Sequence, residues 1–323
     1  MQMHYKTMSD GFPVAMYEWT PEQKPKAVLH IVHGMAEHAQ RYDRFAQEAC
    51  TRGFAVFAAD HRGHGKTAQD TASLGYLSDG DGFGRVVEDQ AEINAEIRER
   101  FPSLPIIIIG HSFGSFVTQG YIERHGSSVT AAVLIGSAGP NPSIGFASLL
   151  AALNCVLKGR KAPAKLMTTL IFGSYNHGIR DAKTASDWLS RDAAEVQKYR
   201  DDERCGFVCT AGFYRDFMRG LQRIHKAAAI HSIPTGLPIL ITAGSEDPVS
   251  NKARTLSSLY QLYQAAGIAD VTLKIYDGAR HEILNETNRA EITADILRWI
   301  EQRLAAIAHR DSHRGRTSIY SIY

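Results

Sequence analysis

The sequence predicts an α/β fold, a doubly wound and mostly parallel sheet with a helical cap inserted over one end. Three observations carry that expectation. Short apolar runs alternate with helix-like stretches along the 323 residues, and such alternation builds a parallel sheet through right-handed crossovers. One run, Ile106–Ile109, ends in the sharp turn Gly110-His111-Ser112-Phe113-Gly114 and passes directly into a helix-like stretch. The rhythm then breaks at Gly139-Pro140-Asn141-Pro142 and resumes only near Pro238.

In order along the chain, residues 4–8 and 12–19 read as an antiparallel hairpin. Strand 27–32, helix 41–52, strand 54–59 and helix 84–100 follow, then strand 106–110, helix 113–125 and strand 131–136. Pro238–Gly244 reads as a buried strand, Lys252–Ala265 as a helix and Val271–Tyr276 as another strand before the last helix. The expected divisions are 1–139 as the first part of the core and 140–226 as the helical cap. Residues 227–308 form the second part of the core and 309–323 a flexible tail.

The turn at Ser112 is the strongest chemical signal. Glycines two before and two after the serine allow a tight turn and a close approach of strand and helix. Such a turn holds a hydroxyl out toward a substrate; the plain alternative is a serine that caps the helix. A serine needs a base to take its proton, and the base needs a carboxylate to orient it. Asp247 follows the strand ending at Gly244, and His281 follows the strand ending at Tyr276. All three lie at carboxyl ends of strands, where open parallel sheets place ligand sites. Glu246 is the competing acid. The backbone N–H groups of Phe113 and Met35 are the expected oxyanion-hole donors. His33 is expected to brace the Met35 loop.

The set His33-Gly34-Met35-Ala36-Glu37-His38 with Arg41-Tyr42, Asp60-His61-Arg62-Gly63-His64-Gly65, Gly110–Gly114, Ser245–Val249 and Ala279-Arg280-His281 resembles the monoacylglycerol lipase/lysophospholipase branch of the α/β-hydrolase superfamily. The resemblance spans roughly residues 10 to 305. It implies the α/β-hydrolase fold and a serine hydrolase acting on carboxylic esters of single-chain lipids, monoacylglycerols or lysophospholipids. It also implies that Glu37 and Arg41 hold the polar head of the substrate. Their spacing allows a structural ion pair equally well. Two positions depart from the common pattern: Phe113 stands where methionine is usual, and Leu284 where the animal monoacylglycerol lipases carry a second histidine. Two other functions remain open: a broader carboxylesterase or amidase, and a ligand receptor that keeps the fold.

Length and composition agree with a single globular unit. The net charge of +2 implies neither nucleic acid nor an acidic partner. No apolar leader is seen at the N-terminus and no run reaches the ~18 apolar residues of a membrane span, so a cytoplasmic or peripheral membrane protein is expected. The four cysteines match no zinc or disulfide spacing. His61 and His64 form a tempting pair, but the glycines around them make a turn, so neither metal nor cofactor is expected. Oligomeric state is not legible.

Substrate class should show in the cap. The run Ile144–Leu157 is almost wholly apolar, and Lys158, Arg160, Lys161 and Lys165 follow. It is expected to line an acyl tunnel, with Leu149 and Leu153 in that lining, and to touch a membrane surface transiently. The plain alternative is a helix packed on its neighbours.

Overall fold

The computed structural model describes residues 1–317. Eight strands form one sheet: β1 (Gln2–Thr7), β2 (Pro13–Trp19), β3 (Ala27–Val32), β4 (Phe54–Ala59), β5 (Ile106–His111), β6 (Ala131–Ile135), β7 (Ile239–Gly244) and β8 (Val271–Tyr276). Their order across the sheet is β1-β2-β4-β3-β5-β6-β7-β8. The β1–β2 and β2–β4 pairs are antiparallel and every other pair is parallel. Strands β3 to β7 are buried along their whole length, which is why they read as unbroken apolar runs. The outer strand β1 is mostly exposed, and its polar Gln2, His4 and Lys6 blunt the edge.

Both faces of the sheet are covered. The faces alternate along β5: Ile106 and Ile108 join one core and Ile107 and Ile109 the other, as the two-residue period of a strand requires. Helices α1 (Asp43–Thr51), α2 (Gly82–Arg100) and α3 (Phe113–His125) connect the early strands. Helix α1 begins two residues later than expected because a 3₁₀ turn, Ala39–Tyr42, comes first. Asp81 caps α2, accepting from the Gly84 N–H at 3.2 Å.

Between β6 and β7 the chain forms α4 (Ile144–Lys158), α5 (Lys165–Phe172), α6 (Ala193–Asp201), α7 (Ala211–Ile224) and the short α8 (Ala227–Ile230). The Phe217, Leu221 and Ile224 side chains of α7 belong to the same buried cluster as Phe83 of α2 and Phe113 and Phe116 of α3. Helix α9 (Arg254–Ala265) follows β7, and α10 (Arg289–Thr317) closes the fold. Of the tail expected at 309–323, the part through Thr317 continues α10, and the rest lies outside the described residues.

The chain moves outward from β3 to β4 and then returns to the other side of β3 to make β5. That reversal opens a crevice between the carboxyl ends of β3 and β5, the usual ligand position in open α/β sheets. Val32 pairs with Gly110 across it.

Candidate active site

Ser112 is the residue between β5 and α3. Its backbone has φ 52° and ψ −120°, a conformation that costs a non-glycine residue about 1–3 kcal/mol. Two glycines make the turn possible. A Cβ on Gly114 would sit 2.0 Å from the Val32 carbonyl, and one on Gly110 would sit 2.4 Å from the Gly114 carbonyl. Ser112 N–H donates to the Ile135 carbonyl at 2.9 Å, which ties the apex to β6.

His281 follows β8 and is buried. Its Nδ1 lies 2.9 Å from Asp247 Oδ1, and the same oxygen accepts from the Val249 N–H at 2.9 Å. Asp247 is fully buried. Glu246 is exposed and pairs with Lys252. The His281 ring packs 4.9 Å from His111 and 5.0 Å from Trp188. Gly136 makes room for it, because a Cβ there would meet the ring at 3.0 Å. The turn carrying His281 is sewn to the segment before α6. His281 N–H donates to the Trp188 carbonyl at 3.4 Å, Glu282 N–H to the Leu189 carbonyl at 2.7 Å, and Arg280 to the Asp187 carbonyl at 2.7 Å.

The loop after β3 carries Met35 and is braced from below. His33 Nδ1 donates to the Gly34 carbonyl at 2.7 Å while Nε2 accepts from the His61 N–H at 2.9 Å. His61 returns a bond to the His33 carbonyl at 2.9 Å. Burial holds His61 down to about 3 and His64 to about 4, so both rings are neutral braces. Asp60 explains the rest of its motif: it accepts from the Ala39 and Lys66 N–H groups and from the Tyr17 hydroxyl. The N–H groups of Met35 and Phe113 meet no acceptor among the described residues.

Glu37 accepts four bonds, from Gly34 N–H at 2.6 Å, Tyr42 hydroxyl at 2.9 Å, His111 at 3.1 Å and Arg41 at 2.6 Å. Burial alone would raise this carboxyl, but Arg41 and His111 hold it well below the usual range. Arg41 turns its fork to Glu282. Of the two residues expected at the substrate head, Glu37 lines the cavity that holds Ser112 and His281, while Arg41 lines only an adjoining recess, with Arg44 and Leu284, that shares Glu37, His111 and Glu282 with that cavity. Sequence reasoning missed Glu282, whose signal was an acid directly after the histidine.

Two cavities meet at Met35, Ser112 and Phe172. One, of about 270 Å³, is lined by apolar groups that include Phe116, Ala147, Ile171, Phe217 and Leu221. The other, of about 210 Å³, contains Glu37, His111, Ser186, Tyr199 and Glu282. Contrary to expectation, Leu149 and Leu153 do not line the apolar cavity. They are 65% and 52% exposed, because α4 turns Ala147 toward the apolar cavity and buries Ala151 and Cys155.

A family model described as serine aminopeptidase, S33, matches residues 23–288. The chain belongs to that family. It is 31% identical to a monoacylglycerol lipase of Mycolicibacterium smegmatis over 91% of this chain and 95% of the relative. With a human monoglyceride lipase the identity is 28%, over 92% of this chain and 89% of that one. A thermostable carboxyl esterase from Bacillus coagulans, solved in complex with glycerol, superposes with a TM-score of 0.87 at 28% identity, covering 94% of this chain and 98% of the other. This S33-family member is an α/β-hydrolase of the monoacylglycerol lipase type and an ester hydrolase.

Proposed function

We propose that this chain hydrolyses monoacylglycerols through a Ser112–His281–Asp247 triad and an acyl-enzyme. The observation that carries the reading is the two-lobed cavity with Ser112 at its junction. The lobe with Phe116 and Phe217, the apolar lobe, suits an acyl chain; the lobe with Glu37, Ser186 and Tyr199, the polar lobe, is walled as much by Phe172, Trp188 and Phe207 and suits a small hydroxylated head on those few polar groups. Asp247 accepts from His281 Nδ1–H, which leaves Nε2 with its lone pair toward the cavity. Ser112 Oγ attacks the ester carbon as His281 takes its proton, and His281 then gives that proton to the leaving alcohol. Water repeats the sequence to release the fatty acid. The N–H groups of Met35 and Phe113 supply the oxyanion donors. Residues 140–226 serve as the cap that closes both lobes.

The head-group preference follows from charge. The polar lobe is lined by Glu37 and Glu282 and by no lysine or arginine. A neutral polyol fits that lining better than the phosphate of a lysophospholipid, because Arg41, the guanidinium behind the two carboxylates, is already bonded to both. Glu37 acts chiefly by fixing Gly34 ahead of the Met35 donor, since its own lone pairs are already engaged.

The cap also supports transient contact with a lipid surface. On α4 and α5, Phe146, Leu149, Val156, Leu157, Leu166 and Leu170 are all more than half exposed, an apolar patch unusual for a surface facing water alone. Lys158, Lys161 and Lys165 are exposed beside it and can meet anionic headgroups. Leu170 belongs both to the patch and to the apolar lobe, so an acyl chain has a continuous oily path. No helix among the described residues is long and apolar enough to cross a membrane.

Hydrolysis of a panel of monoacylglycerols, lysophospholipids and short p-nitrophenyl esters tests the reading. Monoacylglycerols should be preferred, and Ser112→Ala should lower kcat by about 10⁴-fold or more. Equal rates on all esters would point to a broad carboxylesterase. Failure of a serine-directed phosphonate to label the protein would leave a receptor.

A further inference from the structure

Away from the reacting groups, three side chains of different chemistry converge where α6 ends. One ring nitrogen of His38, one Asp202 carboxylate oxygen and Cys205 Sγ all lie within 4.8 Å of one another. His38 comes from the loop after β3, and Asp202 and Cys205 come from the far end of the cap. His38 Nε2 and Asp202 Oδ2 are 2.8 Å apart. His38 and Cys205 are buried, and Asp202 keeps 35% of its side chain exposed, which provides a way in from solvent.

We propose that His38, Asp202 and Cys205 form a zinc site that pins the cap to the loop carrying Met35. An imidazole, a carboxylate and a thiolate together are the donor set zinc prefers, and three protein ligands plus water complete a tetrahedral ion. With bonds of roughly 2.0–2.3 Å, tetrahedral donors stand roughly 3.3–3.8 Å apart, so the imidazole and carboxylate must part by about half an ångström and the thiol must close in by roughly 1 Å at most. On binding, the Cys205 thiol gives its proton to solvent and His38 carries its single proton on Nδ1.

The local charge admits a cation. Arg41 is consumed by Glu37 and Glu282. Arg204 directs its guanidinium away, to the Gly65 carbonyl at 2.6 Å, while its N–H braces Asp202 Oδ1 at 2.8 Å. The backbone is already joined at this point, since Gly206 N–H donates to the Ala36 carbonyl at 2.9 Å. A metal here would add a second, stronger tie between cap and core.

The test is a cobalt titration of the full chain after treatment with a chelator. Thiolate coordination gives a near-ultraviolet charge-transfer band that should saturate at one equivalent and be displaced by zinc. Cys205→Ser should abolish the band although Cys50, Cys155 and Cys209 remain, and His38→Gln should weaken cobalt binding at least tenfold. Zinc should also raise the Tm of the wild type but not of Asp202→Asn, whose half-exposed position makes it the variant least disturbing to folding. Absence of a band in the wild type, or its survival in Cys205→Ser, overturns the site. A zinc-induced Tm rise that persists in Asp202→Asn overturns it as well.

Discussion

Arg41 and Glu282 meet as a bidentate pair, Nη1 to Oε1 at 2.6 Å and Nη2 to Oε2 at 2.7 Å. Arg41 also holds Glu37 at 2.6 Å. One guanidinium therefore links the loop carrying Met35 to the turn with His281, and it does so between two buried carboxylates.

Removing it should be costly. Arg41→Met leaves Glu37 and Glu282 facing each other without a cation, and breaking a buried pair in this way costs about 3–5 kcal/mol. Urea unfolding should show that loss. Arg41→Lys keeps the charge without the fork and should fall between the two. A loss under about 1 kcal/mol for Arg41→Met would show that the cluster relaxes or is solvated.

The choice of acid is open to a direct comparison. Asp247→Asn should lower kcat by about 10³–10⁴-fold through the wrong imidazole tautomer. Glu246→Gln should leave kcat near wild type, since Glu246 is exposed and paired with Lys252. A larger loss in the glutamate variant would reverse the assignment.

Chain-length preference should reside in the apolar lobe. Each buried methylene is worth about 0.8 kcal/mol, so kcat/KM should rise roughly fourfold per carbon until the lobe is full. Ala147→Phe narrows that lobe and should move the plateau to shorter chains while sparing acetate esters. An unchanged profile would place the acyl chain elsewhere.

Leu149 and Leu153 face outward, so their charge variants report on surface contact. Leu149→Glu with Leu153→Glu should reduce sedimentation with anionic vesicles and hydrolysis of esters carried in them. Activity on a water-soluble short ester should not change. Equal losses on both substrates would indicate damage to the cap.

Acid should destabilise the fold through its buried histidines. Burial lowers His30 and His64 to about 4 and His61 to about 3. The unfolded chain binds these protons near the ordinary value of ~6.5 while the folded one does not. Their stabilising effect is complete above ~6.5 and drains away as pH falls toward 4. Urea midpoints should decline across that window, and His64→Gln should flatten the decline. A flat profile between pH 6.5 and 4.5 would contradict neutral braces.

The parts of the site that obey local rules were legible in the sequence. Ser112 could be read because strand, glycines and helix are contiguous. Asp247 follows the buried strand β7, and His281 follows the edge strand β8. Glu282 was not read, since its meaning depends on Arg41, which lies 241 positions earlier. The facing of α4 was not legible because a helix apolar on every side gives no phase: Ala147 and Leu149 look alike until α7 is in place. The grouping of His38 with Asp202, 164 positions apart, has no sequence signature either.

The bonds from Arg280, His281 and Glu282 to carbonyls at 187–189 have a mechanical consequence. That edge of the cap and the base share one piece of backbone. A lid swinging on that edge would drag the imidazole off Asp247, so opening for substrate and readiness for proton transfer would exclude each other. With the proposed base at His281, opening for substrate is therefore expected at the opposite rim, around α4 and α5, where exposed Leu170 also lines the proposed acyl lobe.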